Sequence, residues 1–192
     1  MHQRQPLVDR RAIRERVARR NEPHVAPLND VVRRLRRDRP GVPYFDPDGA
    51  GVNARLLLLL EAPGLEGAAL TGIVSVDNQD RTAKNTSRLL ARARLDPRKV
   101  LNWNIVPWSS EPTSAEIRAG AACLPDLLKR LKRLRVVVCM GVPAQRGWAE
   151  VQADFPNLKT VRTWHPVQRR GHEGEVEIVR GLRVAGRLAG LK

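Results

Sequence analysis

Three polar residues follow segments that are predicted to be strands. Glu61 comes directly after a run of five leucines, Asn104 lies near the end of a second apolar segment, and His165 follows a third. A carboxylate can orient water and stabilise a developing cation, an amide can donate and accept hydrogen bonds, and an imidazole can donate to a developing anion. These three side chains are therefore the first candidates for a functional site.

The elements that would position them are predicted by an alternation of strands and helices. The predicted strands cover residues 55–60, 100–106, 135–140 and 160–163, and the predicted helices cover 6–20, 29 or 30 to 37, 82–95, 114–134, 143–151 and 173–191. This order is typical of an α/β fold, a three-layer α/β/α sandwich around a central, mostly parallel four-stranded sheet. Because ligands bind at the carboxyl ends of such strands, Glu61, Asn104 and His165 should converge on one edge.

The charge of the chain indicates a polyanionic partner. Its 192 residues include 35 Lys and Arg against 20 Asp and Glu, a formal charge of +15, and 29 of the basic residues are arginines. Arginine forks match phosphate oxygens, so this surplus favours nucleic acid. A GC-rich genome would explain arginine in place of lysine but not the surplus over acids. An acidic protein or a membrane surface is the alternative partner.

Composition also bounds the class of protein. With 42% hydrophobic residues the chain can bury a core, and its length suits one α/β domain at 51–192 with a basic helical extension at 1–50 packed on it. The longest aliphatic run, Leu56–Leu60, is far shorter than the ~20 residues that span a bilayer. The N-terminus has no apolar stretch of the kind found in secretory signals. We therefore expect a soluble, cytoplasmic protein with no membrane partner.

Three motifs at the strand ends form a combination with a known counterpart. The segment Glu61-Ala62-Pro63-Gly64 resembles the first motif of the uracil-DNA glycosylase superfamily, closest to its bacterial and archaeal family with the motif Gly-Glu-Ala-Pro-Gly. Asn104-Ile105-Val106 is similar to the second-strand asparagine segment of those enzymes. His165-Pro166-Val167-Gln168-Arg169-Arg170 is similar to their His-Pro-Ser motif and the DNA-penetrating loop after it. The resemblance covers residues 55–190.

The resemblance implies a monofunctional enzyme that flips uracil out of single- or double-stranded DNA and hydrolyses its N-glycosidic bond, leaving an abasic site for base excision repair. In that reading Glu61 orients water and stabilises the sugar cation, and His165 donates to uracil O2. Asn104 accepts a hydrogen bond from uracil N3–H and donates one to uracil O4. The turn made of Ala62, Pro63 and Gly64 could hold a phosphate or uracil O2 through the backbone N–H groups of Ala62 and Gly64.

Further residues would contact the base or the DNA. We expect Asp77 and Asn78 to be extra readers of the base or ligands of a water molecule. The expected DNA contacts are Lys84, Trp164, Val167, Gln168, Arg169 and Arg170. The two arginines suit phosphate clamping or a wedge into the duplex. A monomer associated with the nucleoid is the expected state of the protein.

The sequence also departs from the family pattern. Cys123 and Cys139 are its only cysteines and do not match the spacing of the family's four iron–sulfur ligands, so no cluster, metal or other cofactor is predicted. Leu60 replaces the glycine before the glutamate, and Val167 replaces a serine. No aromatic residue occurs in 72–79, where the family stacks one on uracil. Since no lysine lies in the motifs at a nucleophile position, lyase chemistry is not expected.

Each assignment has an alternative. Glu61 could cap the next helix, Asn104 could satisfy loop backbone, and His165 could be an ordinary strand-end histidine. At the level of function, the fold could act on hypoxanthine, xanthine or mismatched thymine, or bind uracil or abasic DNA without turnover. An unrelated small-molecule hydrolase is disfavoured because no Gly-x-Ser-x-Gly elbow is present.

Overall fold

The computed structural model describes residues 5–167 and 171–191. Within these ranges the helices are α1 (Arg10–Ala18), α2 (Ala26–Leu35), α3 (Ala68–Thr71), α4 (Arg81–Ala93), α5 (Ser114–Leu128), α6 (Val142–Ala149) and α7 (Gly171–Ala189). The strands are β1 (Tyr44–Phe45), β2 (Leu56–Leu60), β3 (Ile73–Val74), β4 (Val100–Asn104), β5 (Val136–Met140) and β6 (Lys159–Thr163). Among the described helices, none is long and apolar enough to cross a membrane.

The centre of the fold is a parallel sheet in the order β4-β2-β5-β6. Every side chain of β2 is buried, because helices cover both faces of the sheet and a continuous aliphatic strand suits that environment. Leu57 and Leu59 point into a core beneath α2, α5 and α6, whereas Leu56, Leu58 and Leu60 point into a second core beneath α4 and α7. The predicted three-layer α/β/α sandwich with a four-stranded parallel sheet is confirmed.

Several helix boundaries predicted from the sequence are wrong. The first helix begins at Arg10, capped by Asp9, and not at residue 6. Helix α2 begins at Ala26 with a proline in its first turn, so Asn29 lies inside the helix and not at its cap. The Asn29 side chain is buried, donates to Arg20 O and accepts from the Phe45 N–H. Helix α5 ends at Leu128, because the chain turns before Leu131, which is buried in the first core.

The structure also contains a small element that periodicity did not predict. Strands β1 and β3 form a two-stranded parallel pair, with Tyr44 opposite Ile73 and Phe45 opposite Val74. Phe45 stacks on Trp103 of β4 with ring centroids 4.2 Å apart. This contact joins the small pair to the first core.

The N-terminal segment contributes to the same core as the sheet. Val25, Leu28 and Val32 are buried with the side chains of β2 and α5 in the first core. The division of the chain at residue 50 stays a prediction, but the buried apolar side chains between residues 25 and 45 belong to the same hydrophobic core as the sheet.

A buried arginine ties the N-terminal helix to two loops. Arg16 of α1 is 4% exposed, and its guanidinium contacts Asp46 at 2.9 Å, Asp48 at 3.0 Å and Asp77 at 3.1 Å. Ser75 Oγ donates to Asp46 Oδ2 at 2.5 Å and accepts from the Asp77 N–H at 3.0 Å. One cation therefore holds α1, the segment after β1 and the segment after β3 together.

Replacing this guanidinium should destabilise the fold. In Arg16→Met, the buried carboxylates lose their shared counter-charge, and we expect the free energy of unfolding to fall by about 3–5 kcal/mol. Urea denaturation followed by circular dichroism measures the change. Arg14→Met, at an exposed position of the same helix, is the matched control. A loss in Arg16→Met no larger than about 0.5 kcal/mol, the range of ordinary surface changes, would contradict the structural role of the network.

Candidate functional site

The carboxyl edge of the sheet gathers the motif residues from three strands. Asn104 ends β4 and pairs with Leu60, the last residue of β2. The backbone continues this pairing one step further, because the Val106 N–H donates to Glu61 O at 3.0 Å. His165 follows β6, two strands away from β2 in the sheet.

Two adjoining depressions open at this edge. The first, here called the outer cleft, has a volume of about 420 Å³ and is lined by residues that include Glu61, His165 and Val167. The second, the inner pocket, has a volume of about 50 Å³ and is lined by residues that include Asn102 and Asn104. Both share one wall, made of Ala62, Pro63, Gly64, Asp80 and Thr82. The first motif therefore separates the carboxylate and the imidazole from the amides.

Glu61 supplies a carboxylate to the outer cleft. Its burial raises the pKa of the carboxyl group above the ordinary value, since the charged form is poorly solvated there. The alternative role as a helix cap is not observed: α4 is capped by Asp80, and α3 begins after Gly67 without a side-chain cap. The carboxylate is thus available to a ligand in the cleft.

His165 is a neutral hydrogen-bond donor. Burial lowers the pKa of its imidazole, so the ring is uncharged at neutral pH. The Val167 N–H donates to Nδ1 over 3.4 Å, which assigns the ring proton to Nε2. Gly141 allows the close approach of this histidine, because a Cβ at Gly141 would lie 3.1 Å from His165 Cβ.

Asn104 is 4% exposed and lines the inner pocket. Within the described residues its side-chain amide makes no hydrogen bond to the protein, so the alternative of an amide that satisfies loop backbone is not observed. Its donor and acceptor are both available to a ligand in the pocket.

The two residues expected to assist Asn104 have other partners. Asn78 lines the inner pocket, but its amide donates to Ile73 O and accepts from Thr71 Oγ1, both at 2.9 Å. Asp77 lines neither depression, and its carboxylate faces Arg16. The structure therefore brings Asn78 to the pocket as a support of its wall and does not bring Asp77 there.

The expected DNA contacts are spread over the surface around the outer cleft. Lys84 is exposed on α4, Val167 lines the cleft, and the Trp164 indole N–H donates to Glu177. The predictions for Gln168, Arg169 and Arg170 lie outside the described residues. Of this set, only Val167 lines the outer cleft among the residues that the structure describes.

Sequence reasoning missed two pocket residues. Asp80 accepts from the N–H groups of Thr82 at 2.9 Å and Ala83 at 3.1 Å, which caps α4 and fixes the shared wall. An aspartate just before a predicted helix is the usual signal for such a cap. Asn102 lies two residues before Asn104, and strand alternation places both on one face of β4.

The cysteines lie apart from this chemistry. Burial raises the pKa of the Cys139 thiol to about 12, so it stays protonated inside the first core. Cys123 is half-buried on α5, and burial raises its pKa as well. In the part of the chain that the structure describes, no group of three or more His, Cys, Asp or Glu side chains could hold a metal ion.

The raised pKa of Glu61 gives a pH-dependent stability. Because the folded state disfavours the ionised carboxyl, the wild type loses stability as the pH rises from about 4.3, the pKa of an unperturbed glutamate, through the raised value. Glu61→Gln stays neutral and avoids this loss. We expect it to melt at a higher temperature than the wild type near pH 7 and at a similar temperature near pH 4. Glu66→Gln, at an exposed carboxyl of the same loop, is the control. A difference that does not vary with pH would contradict this account.

The comparisons with known proteins identify the family of the chain. A model of the uracil DNA glycosylase superfamily matches residues 47–179, more than half of the chain and all of the strand-end motifs. A search of curated proteins finds no match. Membership of this superfamily implies that the protein functions as a DNA glycosylase, with DNA as its substrate. The resemblance inferred from the three motifs is thereby confirmed, and the chain belongs to the uracil DNA glycosylase superfamily.

Proposed function

We propose that this protein is a monofunctional DNA glycosylase that excises uracil by hydrolysing its N-glycosidic bond. The observation that carries the proposal is the shared wall of residues 62–64, with a carboxylate and a neutral histidine in the outer cleft on one side and an amide pocket on the other. A nucleotide turned out of the stack could reach both sides of this wall, with its base edge at the amide and its glycosidic bond beside the carboxylate and the imidazole. The product would be an abasic site for base excision repair.

His165 is suited to stabilise the leaving base. When the C1′–N1 bond breaks, the electron pair moves to uracil and negative charge develops on O2. A neutral Nε2–H donor can stabilise that charge without first giving up a proton. The tautomer assigned to His165 from the Val167 contact and its lowered pKa support this role.

Glu61 is suited to the sugar side of the same step. As the bond breaks, C1′ gains oxocarbenium character, and a nearby carboxylate can stabilise that cation and orient the attacking water. The water oxygen bonds to C1′ and its proton passes to the surrounding groups or solvent. The poorly solvated carboxylate of Glu61 would interact with such a cation more strongly than an exposed one.

Base selection would fall to Asn104. Its amide can accept from N3–H and donate to O4 of uracil, whereas cytosine presents an acceptor at N3 and a donor at C4. The free amide of Asn104 in the inner pocket supports this assignment.

A second candidate function is excision of another deaminated or mismatched base. The described wall of the inner pocket includes the aliphatic side chains of Val74, Val76 and Ala83 and no aromatic ring. Such a wall would contact a base by apolar packing alone, and this contact does not select uracil over other bases. Hypoxanthine, xanthine and thymine are therefore included as test substrates.

The remaining parts of the proposal follow from the charge and the fold. The +15 chain would bind single- or double-stranded DNA in the cell through its arginines, as a monomer associated with the nucleoid. No lysine lines the outer cleft or the inner pocket among the described residues, which supports hydrolysis over lyase chemistry. Neither assigned step requires a metal or an iron–sulfur cluster.

The direct test is cleavage of an end-labelled oligonucleotide that carries one uracil. We expect a shorter band only after alkali treatment, because the enzyme leaves the backbone intact at the abasic site. Hypoxanthine, xanthine and G:T substrates, each single- and double-stranded where applicable, distinguish the second candidate. Strand cleavage without alkali would contradict monofunctional chemistry. No product from any substrate would contradict the glycosylase proposal itself.

Removal of the leaving-group donor should slow the chemical step. In His165→Ala we expect the single-turnover rate on uracil DNA to fall by about 10²–10³, the range for a lost oxyanion donor, while DNA affinity changes little. Rapid-quench kinetics and a binding titration measure the two quantities. His172→Ala, at an exposed position of α7, is the matched control. An unchanged rate in His165→Ala would remove this residue from the mechanism.

Altering the base reader should change substrate choice. In Asn104→Asp the side chain, once protonated, can donate to cytosine N3 and accept from its amino group, so we expect measurable excision of cytosine. The assay compares uracil- and cytosine-containing oligonucleotides, with Asn53→Asp at the exposed opposite end of the sheet as control. A variant that keeps strict preference for uracil would argue against Asn104 as the sole reader of the base edge.

A further inference from the structure

A second amide faces the inner pocket from deeper in the same strand. Asn102 and Asn104 lie on one face of β4, about 7 Å apart along the strand, and both line the pocket. The Asn102 Oδ1 atom is buried and has no hydrogen-bond partner within the described part of the chain. A buried carbonyl without a partner in the protein lowers stability, since burial weakens its hydration and no protein hydrogen bond compensates.

Several other polar side chains of the pocket are satisfied by the protein. Ser75 donates to Asp46, Thr86 donates to Thr82 O at 2.7 Å, and the Asn78 amide is bonded at both ends. These groups hold the walls. Asn102 differs from these residues. Its side-chain oxygen accepts no hydrogen bond from the described protein, whereas the other polar groups named here, which line the same pocket, are bonded.

We propose that Asn102 is a specificity-determining residue that accepts a hydrogen bond from the lactam N–H of the bound base. Asn104 keeps its bond to the adjacent carbonyl oxygen, and Asn102 takes the N–H contact that the single-reader assignment gave to Asn104, so the two amides read one edge from two strand positions. This inference rests on the proposed function and deepens it. The substrate class is a base with an adjacent ring N–H and C=O, such as uracil, hypoxanthine or xanthine.

The arrangement excludes amino-substituted bases by repulsion as well as by lost contacts. Cytosine and adenine carry an unprotonated ring nitrogen where a lactam carries N–H. That nitrogen would face the Asn102 oxygen, which leaves two buried acceptors opposed and both unsatisfied. Discrimination would therefore come from an unfavourable contact with the wrong base, in addition to a favourable contact with the right one.

The decisive variant is Asn102→Leu, which keeps the side-chain size and removes both polar atoms. We expect the affinity for free uracil to fall about tenfold or more relative to the affinity for free cytosine, as measured by NMR titration. We also expect the melting temperature to stay the same or rise, because no protein hydrogen bond is lost. Asn78→Leu, at the amide bonded at both ends, should melt at a lower temperature and is the matched control.

A second measurement uses the wild type and does not depend on the folding of any variant. Free uracil and free hypoxanthine should shift the side-chain amide resonances of Asn102 and Asn104, whereas cytosine and adenine should leave Asn102 unshifted. A retained uracil-to-cytosine preference in folded Asn102→Leu, or an Asn102 resonance that does not respond to uracil, would overturn the inference.

The same data separate this inference from the proposed function. If the wild type excises no base but uracil shifts the Asn102 amide, the glycosylase proposal fails and the lactam reader stands. If uracil is excised while Asn102 is unresponsive and Asn102→Leu keeps its selectivity, the reader fails and the glycosylase stands.

Discussion

The ion pairs of the buried Arg16 guanidinium are the contact on which the geometry of the site depends. Strands β1 and β3 are each only two residues long. Backbone pairing over that length could not by itself hold the segments that follow the two strands in place. Arg16 joins those segments through Asp46 and Asp77, and the segment after β3 forms a wall of the inner pocket. The shape of the pocket is thus fixed from α1, although α1 lies outside the region that matches the superfamily.

Burial has opposite consequences for the two titratable groups of the outer cleft. It raises the pKa of Glu61 and lowers that of His165, so both groups are less easily charged than in water. A neutral histidine needs no counter-ion, and this suits an imidazole that only donates a hydrogen bond. The carboxylate is poorly solvated in the cleft and is stabilised most when a positive charge develops beside it. The pair therefore fits a reaction whose charges appear only in its transition state.

The sequence predicted the sheet and the strand-end residues because both follow from short-range rules. A run of five leucines has one stable environment, a strand covered on both faces, and parallel strands deliver their ends to one edge. The role expected for Asp77 had no such basis, because its partner Arg16 lies 61 residues away along the chain. Strands of two residues, such as β1, are too short to show periodicity. Asn102 could have been found by applying the alternation of β4 to its polar residues.

The missing aromatic ring and the unpartnered amide have one physical explanation in common. A pocket that stacks a ring on the base obtains affinity from a face that all bases share, so its selectivity must come from the edge. Here the described wall is aliphatic, and two amides of β4 line the pocket beside it. Edge contacts would then supply a larger part of both affinity and selectivity. The Asn102 acceptor, which has no partner in the described protein, fits that division, because a base with the matching N–H would supply its hydrogen bond.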